Sequence, residues 1–175
     1  HNSGGHALKA NAIPADADIR DPAVIAKLKR NQQRLAADLR KWGFDYAASL
    51  YSGNLSNYGA EALRHHNMEY IVKGALDFLD GAPGDKPFYL WMALTQGHGP
   101  RERIEAGDIH ATPEGYSADH LEVIEKGYMP TREEIVRQTG KGPMAQTMAW
   151  VDAGVGAVLR KLREMGRAKD TLVIY

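Results

Sequence analysis

The sequence predicts an α/β fold in which a mostly parallel central sheet is flanked by helices. Three observations carry this. Pro87-Phe88-Tyr89-Leu90-Trp91-Met92-Ala93-Leu94 is a short apolar run bounded by breakers, the pattern of a strand buried on both faces. Met144, Met148, Val151, Val155, Val158, Leu159, Leu162 and Met165 then recur mostly at steps of three or four, which predicts an amphipathic helix. Thr171-Leu172-Val173-Ile174-Tyr175 follows as a second apolar run. Strand, crossover helix and strand make a βαβ unit, expected to be parallel and right-handed.

The remaining elements follow in chain order. Residues 1–20 are polar and rich in Gly and Ala, and predict a loop. Asp21-Pro22 marks a helix start, with Asp as the cap and Pro at the first helical position. Val24, Ile25, Leu28, Leu35 and Leu39 give that helix one apolar face, and Gly43 ends it. A second helix fits Ala60 to Leu79, broken by Gly81-Ala82-Pro83-Gly84-Asp85. From Arg101 to Gly142 the chain is polar and interrupted, and only Arg132 to Gln138 reads as helix. Gly166 suits the position just past the last helix, whose final turns carry Arg160, Lys161 and Arg163 against the negative end of the dipole. The expected organisation is therefore a loop over 1–20, a helical segment over 21–81, and a strand-crossover-helix-strand unit over 86–175.

Composition excludes several functions. The 22 basic and 22 acidic side chains cancel, so nothing draws the chain strongly to nucleic acid or an anionic membrane. No stretch approaches the roughly 18–20 apolar residues of a membrane span. The sequence has no cysteine, which rules out disulfides, thiolate metal sites and a Cys nucleophile within it.

His98 is the sharpest local feature. It follows the carboxyl end of the predicted first strand, where open α/β sheets bind ligands, and Gly97 and Gly99 let a substrate approach. The plainer alternative is a loop histidine that caps a carbonyl. His65-His66, placed early in the predicted second helix, point apart and make a poor metal pair. Asp108 and His110 could share a metal, though they form only a lone D-x-H in a loop. Glu133-Glu134 fits a solvated helix start, and Asp152 fits a surface position. No phosphate-binding loop and no nucleophile elbow is present.

Four segments, in order, resemble the middle of a sulfatase of the alkaline-phosphatase-like superfamily. Gly43-Phe44-Asp45 resembles the family's G-F-D, and Lys86-Pro87-Phe88-Tyr89-Leu90 its K-P-F-F-L strand. Gly97-His98-Gly99-Pro100 resembles its P-H-x-P, with Gly97 in place of Pro. Ala149-Trp150-Val151-Asp152-Ala153-Gly154-Val155-Gly156, with Lys169-Asp170-Thr171-Leu172-Val173-Ile174-Tyr175, resembles its V-D-x-x-V-G helix and D-N-T-L-V-I-F strand.

The resemblance implies part of an alkaline-phosphatase-like sandwich. It implies a parent enzyme that cleaves sulfate esters of small molecules or sugars with a formylglycine nucleophile and Ca2+. His98 would then contact the sulfate or protonate the leaving oxygen, and His1 would match a histidine that assists sulfate expulsion. The C-x-P-S-R nucleophile motif and the acidic metal ligands of the family have no counterpart in this sequence. Both ends read as cut, so the chain is expected to be an internal piece, inactive alone and prone to self-association. Rival readings are a phosphoryl or phosphonyl ester hydrolase of the same superfamily and a non-catalytic binding module. Export, for instance to the periplasm, is common in the family, and nothing in the sequence marks it.

Overall fold

The computed structural model describes residues 13–55, 58–96, 103–140 and 142–174. Helix α1 (Pro22–Lys41) begins as its sequence dictates. Asp21 is extended, its Oδ1 accepts from the Ala23 N–H at 2.7 Å, and Pro22 occupies the first turn where no donor is needed. Its buried face carries Leu28, Leu35 and Ala36, with Gln32 among them. Gln32 brackets the backbone of Leu50, donating to its carbonyl at 2.8 Å and accepting from its N–H at 3.2 Å.

Helix α2 (Met68–Gly81) starts later than the predicted Ala60. The side chain of Asn67 accepts from the Tyr70 N–H at 2.9 Å and so caps the helix there. Residues before it form a 3-10 turn (Glu61–Leu63) and a bend, which places His65 and His66 ahead of the helix rather than within it. A small antiparallel hairpin follows, β1 (Ala111–Thr112) and β2 (Gly115–Tyr116), with Ala111 opposite Tyr116. Gly115 has φ of 110°, and a Cβ there would lie 2.8 Å from Ile25 Cγ1, so its turn needs glycine for both reasons.

The predicted polar stretch 101–142 is more ordered than its composition foretold. A 3-10 turn (Asp119–Leu121) runs into the short helix α3 (Glu122–Glu125). Helix α4 (Arg132–Thr139) opens on a complete capping box between Thr131 and Glu134. Helix α5 (Pro143–Glu164) has Pro at its first position, and Gly166 follows its end at φ of 71°.

Helix α5 lies along α2. The main core between and around them comprises Met68, Ile71, Val72, Leu76, Ile104, Val123, Met129, Ile135, Trp150 and Ala157. A second cluster gathers Ile13, Ile19, Leu28, Tyr58, Ala60, Leu63 and Ala111 beneath α1.

The two predicted strands differ from expectation. Among the described residues the hairpin is the only ladder, and neither 87–94 nor 171–174 is paired. The first segment does alternate: Phe88, Leu90, Met92 and Leu94 are half-buried, whereas Tyr89 and Trp91 are 71% and 66% exposed. Met92 and Leu94 rest on the main core. In the second segment Leu172 and Ile174 are 84% and 83% exposed. Both runs thus lack the second covering layer that their continuous apolarity predicted, and no parallel sheet forms among the described residues. Arg167 ties their starting ends together: it donates to the Pro83 and Lys86 carbonyls at 3.0 and 2.8 Å and lies over the Phe88 ring.

Candidate functional site

His98 and His1, the two histidines singled out by sequence, lie outside the described residues. The described chain on either side of residues 97–102 is held as follows. On the approach, Met92 and Leu94 anchor the extended segment to the core. Thr95 then shares a hydrogen bond with a buried imidazole, Oγ1 to Nδ1 of His66 at 3.0 Å. Gln96 is buried, and neither its amide nitrogen nor its amide oxygen has a protein partner. Leaving a buried amide without a partner is costly.

On the far side, Ile104 is buried in the main core. Its carbonyl and that of Gly107 each accept from Nη1 of Arg132 at 3.0 Å. The other edge of the guanidinium faces Glu69, with Nε to Oε1 at 3.1 Å and Nη2 to Oε2 at 3.0 Å. Trp150 Nε1 donates to the same Oε1 at 3.2 Å, and the guanidinium carbon sits 4.7 Å from the centre of the Trp150 ring. Glu69 is fully buried and Arg132 nearly so. Each nitrogen of this guanidinium donates to at least one acceptor, which offsets the cost of burying its charge.

Between these anchors, Asn67 Nδ2 donates to the carbonyls of Ile109 and Ala111 at 2.8 and 3.1 Å. His120 Nε2 lies 2.7 Å from the Ile109 oxygen, so it carries the proton and donates. Burial holds the His120 pKa below its ordinary value, helped by Arg132 and His110 and opposed by the Ile109 carbonyl and Glu69.

The D-x-H pair considered as a metal site is turned on itself. Asp108 Oδ1 accepts from the His110 N–H at 2.9 Å and lies 3.1 Å from its Nδ1. Partial burial raises the Asp108 pKa, but these bonds and the charges of His110 and Arg20 outweigh it, and the net shift is downward. The His110 ring also stacks on Tyr116 at 4.9 Å. Glu134 is spent in its capping box and Asp152 is exposed. Among the described residues no three His, Cys, Asp or Glu side chains are grouped to hold a metal ion. No described helix is long and apolar enough to cross a membrane.

The model describing the sulfatase family matches residues 22–175, which include both apolar segments, the His98 region and helix α5. The chain belongs to the sulfatase family. No curated protein matches it. Membership implies the alkaline-phosphatase-like α/β fold and the hydrolysis of sulfuric esters. Sulfatases generally use Ca2+ and formylglycine. The described residues offer no grouping that fits Ca2+, and the sequence has no C-x-P-S-R motif, nor one with Ser in place of Cys, so neither is assigned to a residue of this sulfatase chain.

Sequence reasoning did not find Thr95, His66, Glu69 or Arg132. Their partners lie 29 and 63 residues away, and no local spacing signals such a pairing. The one available hint was Arg132 itself, a charge at the first position of a helix whose neighbours are acidic.

Proposed function

We propose that this chain is an internal portion of one sulfatase catalytic domain. The parent enzyme would cleave the sulfate ester of a small molecule or a sugar, with His98 acting on the sulfate. The observation that carries this reading is the family match over 22–175, which takes in Gly97-His98-Gly99-Pro100. As the S–O bond to the alcohol breaks, its electron pair passes to the leaving oxygen. An imidazole beside that oxygen can supply the proton it needs, or can donate to a sulfuryl oxygen on which charge builds. The nucleophile and the Ca2+ ligands are proposed to come from sequence outside residues 1–175. His1 is the second candidate, for the expulsion of sulfate.

The test is His98→Ala in the full-length enzyme, assayed on a chromogenic aryl sulfate and a panel of sulfated sugars. Turnover should fall by about 10²–10⁴-fold if His98 is the general acid. The melting temperature measured on the same preparations should hold. Unchanged turnover in a well-folded variant ends the assignment.

A further inference from the structure

The formal net charge of the chain is zero, yet its charges are not evenly spread. Helix α1 carries six cationic side chains, Lys27, Lys29, Arg30, Arg34, Arg40 and Lys41, against one carboxylate, Asp38. All six cations are exposed. The opposite face, with Leu28, Leu35 and Ala36, is buried in the fold. At about 3.6 residues per turn, Lys27, Arg30, Arg34 and Lys41 fall in one row along the outer side, with Lys29 and Arg40 beside it. From Lys27 to Lys41 the row runs about 21 Å, at about 1.5 Å per residue. Arg30 lies three residues after Lys27 and four before Arg34, so these cations are surface neighbours and repel one another. Lys41 has Asp38 to offset it, at 2.8 Å. Among the described residues Lys27, Lys29, Arg30 and Arg40 form no ion pair. Trp42, the C-cap, is 62% exposed and puts an apolar ring at the end of the row.

We infer that the outer face of α1 binds a linear sulfated polysaccharide, which lies along Lys27, Arg30 and Arg34 and is thereby held at the enzyme that acts on its sulfate esters. Naming this polymer rests on the sulfate-ester reading of the parent enzyme. A row of unpaired cations fits a chain that repeats its negative charge, and the anions on which a sulfatase acts are sulfate esters. The ring of Trp42 adds a surface on which the apolar face of a sugar can rest. An anionic membrane fits less well. A helix that adsorbs to lipid buries its apolar face there, and that of α1 is already spent on the core. Nucleic acid offers a similar row of charges but no group on which a sulfatase acts.

The experiment compares the full-length enzyme with two triple variants. Lys27→Gln/Arg30→Gln/Arg40→Gln strips the row, and Gln keeps the helix propensity, so the melting temperature should hold. Lys86→Gln/Arg163→Gln/Lys169→Gln removes the same charge from exposed positions outside α1. Dextran sulfate and unsulfated dextran are the probes, titrated at several salt concentrations. The α1 variant should bind dextran sulfate roughly 10- to 10²-fold more weakly at about 50 mM salt, and the slope of log K against log salt should flatten by about two to three. The second variant should bind as the parent does. Unweakened binding in the α1 variant overturns the proposal, as does an equal loss in the second variant or equal binding of unsulfated dextran. Tighter binding of single-stranded DNA or of phosphatidylserine vesicles at the same salt also overturns it, because the row would then serve another polyanion. Turnover of a chromogenic aryl sulfate, read on the same preparations, should be alike in all three proteins. Normal turnover with unweakened polymer binding ends the docking surface alone. Absence of turnover by the parent on every sulfate ester tried ends the sulfatase reading, and with it the holding of substrate by α1.

Discussion

Arg132 and Glu69, 63 residues apart in sequence, form a two-point ion pair in the centre of the fold. Two charges removed from water cost several kcal/mol each, and the pair is tolerable because its remaining hydrogen-bonding capacity is used by Ile104, Gly107 and Trp150. Breaking one half strands the other. Arg132→Met and Glu69→Leu should each destabilise the chain by about 3–5 kcal/mol, whereas the double replacement should cost clearly less than the sum. Denaturant titration of the three variants measures this, and strict additivity would show that the two side chains are not coupled. Trp150→Phe, which removes only the indole donor to Glu69, should cost about 1 kcal/mol in the same assay.

Gly154 of α5 packs directly against Met68 and Val72 of α2. A Cβ there would meet Met68 Cε at 2.8 Å and Val72 Cγ2 at 3.1 Å, and Val72 has little freedom to withdraw. Gly156, one turn-half away on the same helix, faces open space. Gly154→Ala should therefore destabilise by about 1–3 kcal/mol through overpacking, while Gly156→Ala should stabilise by about 0.5–1 kcal/mol through helix propensity. Thermal melts of the two single variants decide it, since opposite signs are required. Equal effects would mean that Met68 and Val72 leave room for a methyl group at Gly154.

His120 links the hairpin to α2 and gives the fold a pH dependence. Its folded-state pKa is held below the ordinary 6.5 because burial disfavours the imidazolium. The unfolded chain then binds the proton more readily than the folded one. The stabilisation is intact above pH 6.5 and is lost as pH falls from there through the lower folded-state value. Denaturation midpoints measured across this range should drop for the native chain. They should drop less for His120→Gln, whose amide can still donate to the Ile109 carbonyl but cannot titrate. Parallel curves for the two proteins would place the pH dependence elsewhere.

What could be read from the sequence divides by the range of the interactions. Asp21-Pro22 and Gly166 mark real helix ends because a cap bonds within its own turn. Asn67 is a local cap too, yet its other bonds run to Ile109 and Ala111, 42 and 44 residues on, and composition alone favoured a start at Ala60. The run from Phe88 to Leu94 was legible as extended and apolar, but burial on both faces was expected and only alternate side chains are half-buried. Its neighbours in a sheet were not legible, since strand pairing is a long-range property that a run of apolar residues does not encode. The same limit governs the candidate site. His98 stands out through its flanking glycines, whereas Thr95 and Arg132 gain their meaning only from distant partners, His66 just ahead of α2 and Glu69 within it.

The uncovered apolar segments yield the last prediction. Tyr89 and Trp91 project from an extended backbone that has no ladder partner among the described residues, and Leu172 and Ile174 project from another. Arg167 holds the starting ends of the two segments together, so their bare surfaces begin at one place. Unpaired extended backbone offers a row of donors and acceptors, and apolar side chains beside it favour exclusion of water by another chain. Residues 1–175 expressed alone should self-associate, with a sedimentation profile that shifts to larger species as concentration rises from micromolar to tens of micromolar. Trp91→Lys should weaken the association, because a charge at the middle of an exposed edge blocks pairing and removes the largest apolar side chain. Met144→Lys, an exposed apolar position in the first turn of α5 and outside both segments in sequence, serves as the control and should leave the association unchanged. A concentration-independent monomer, or an equal effect from both substitutions, would show that these segments are not what draws the chains together.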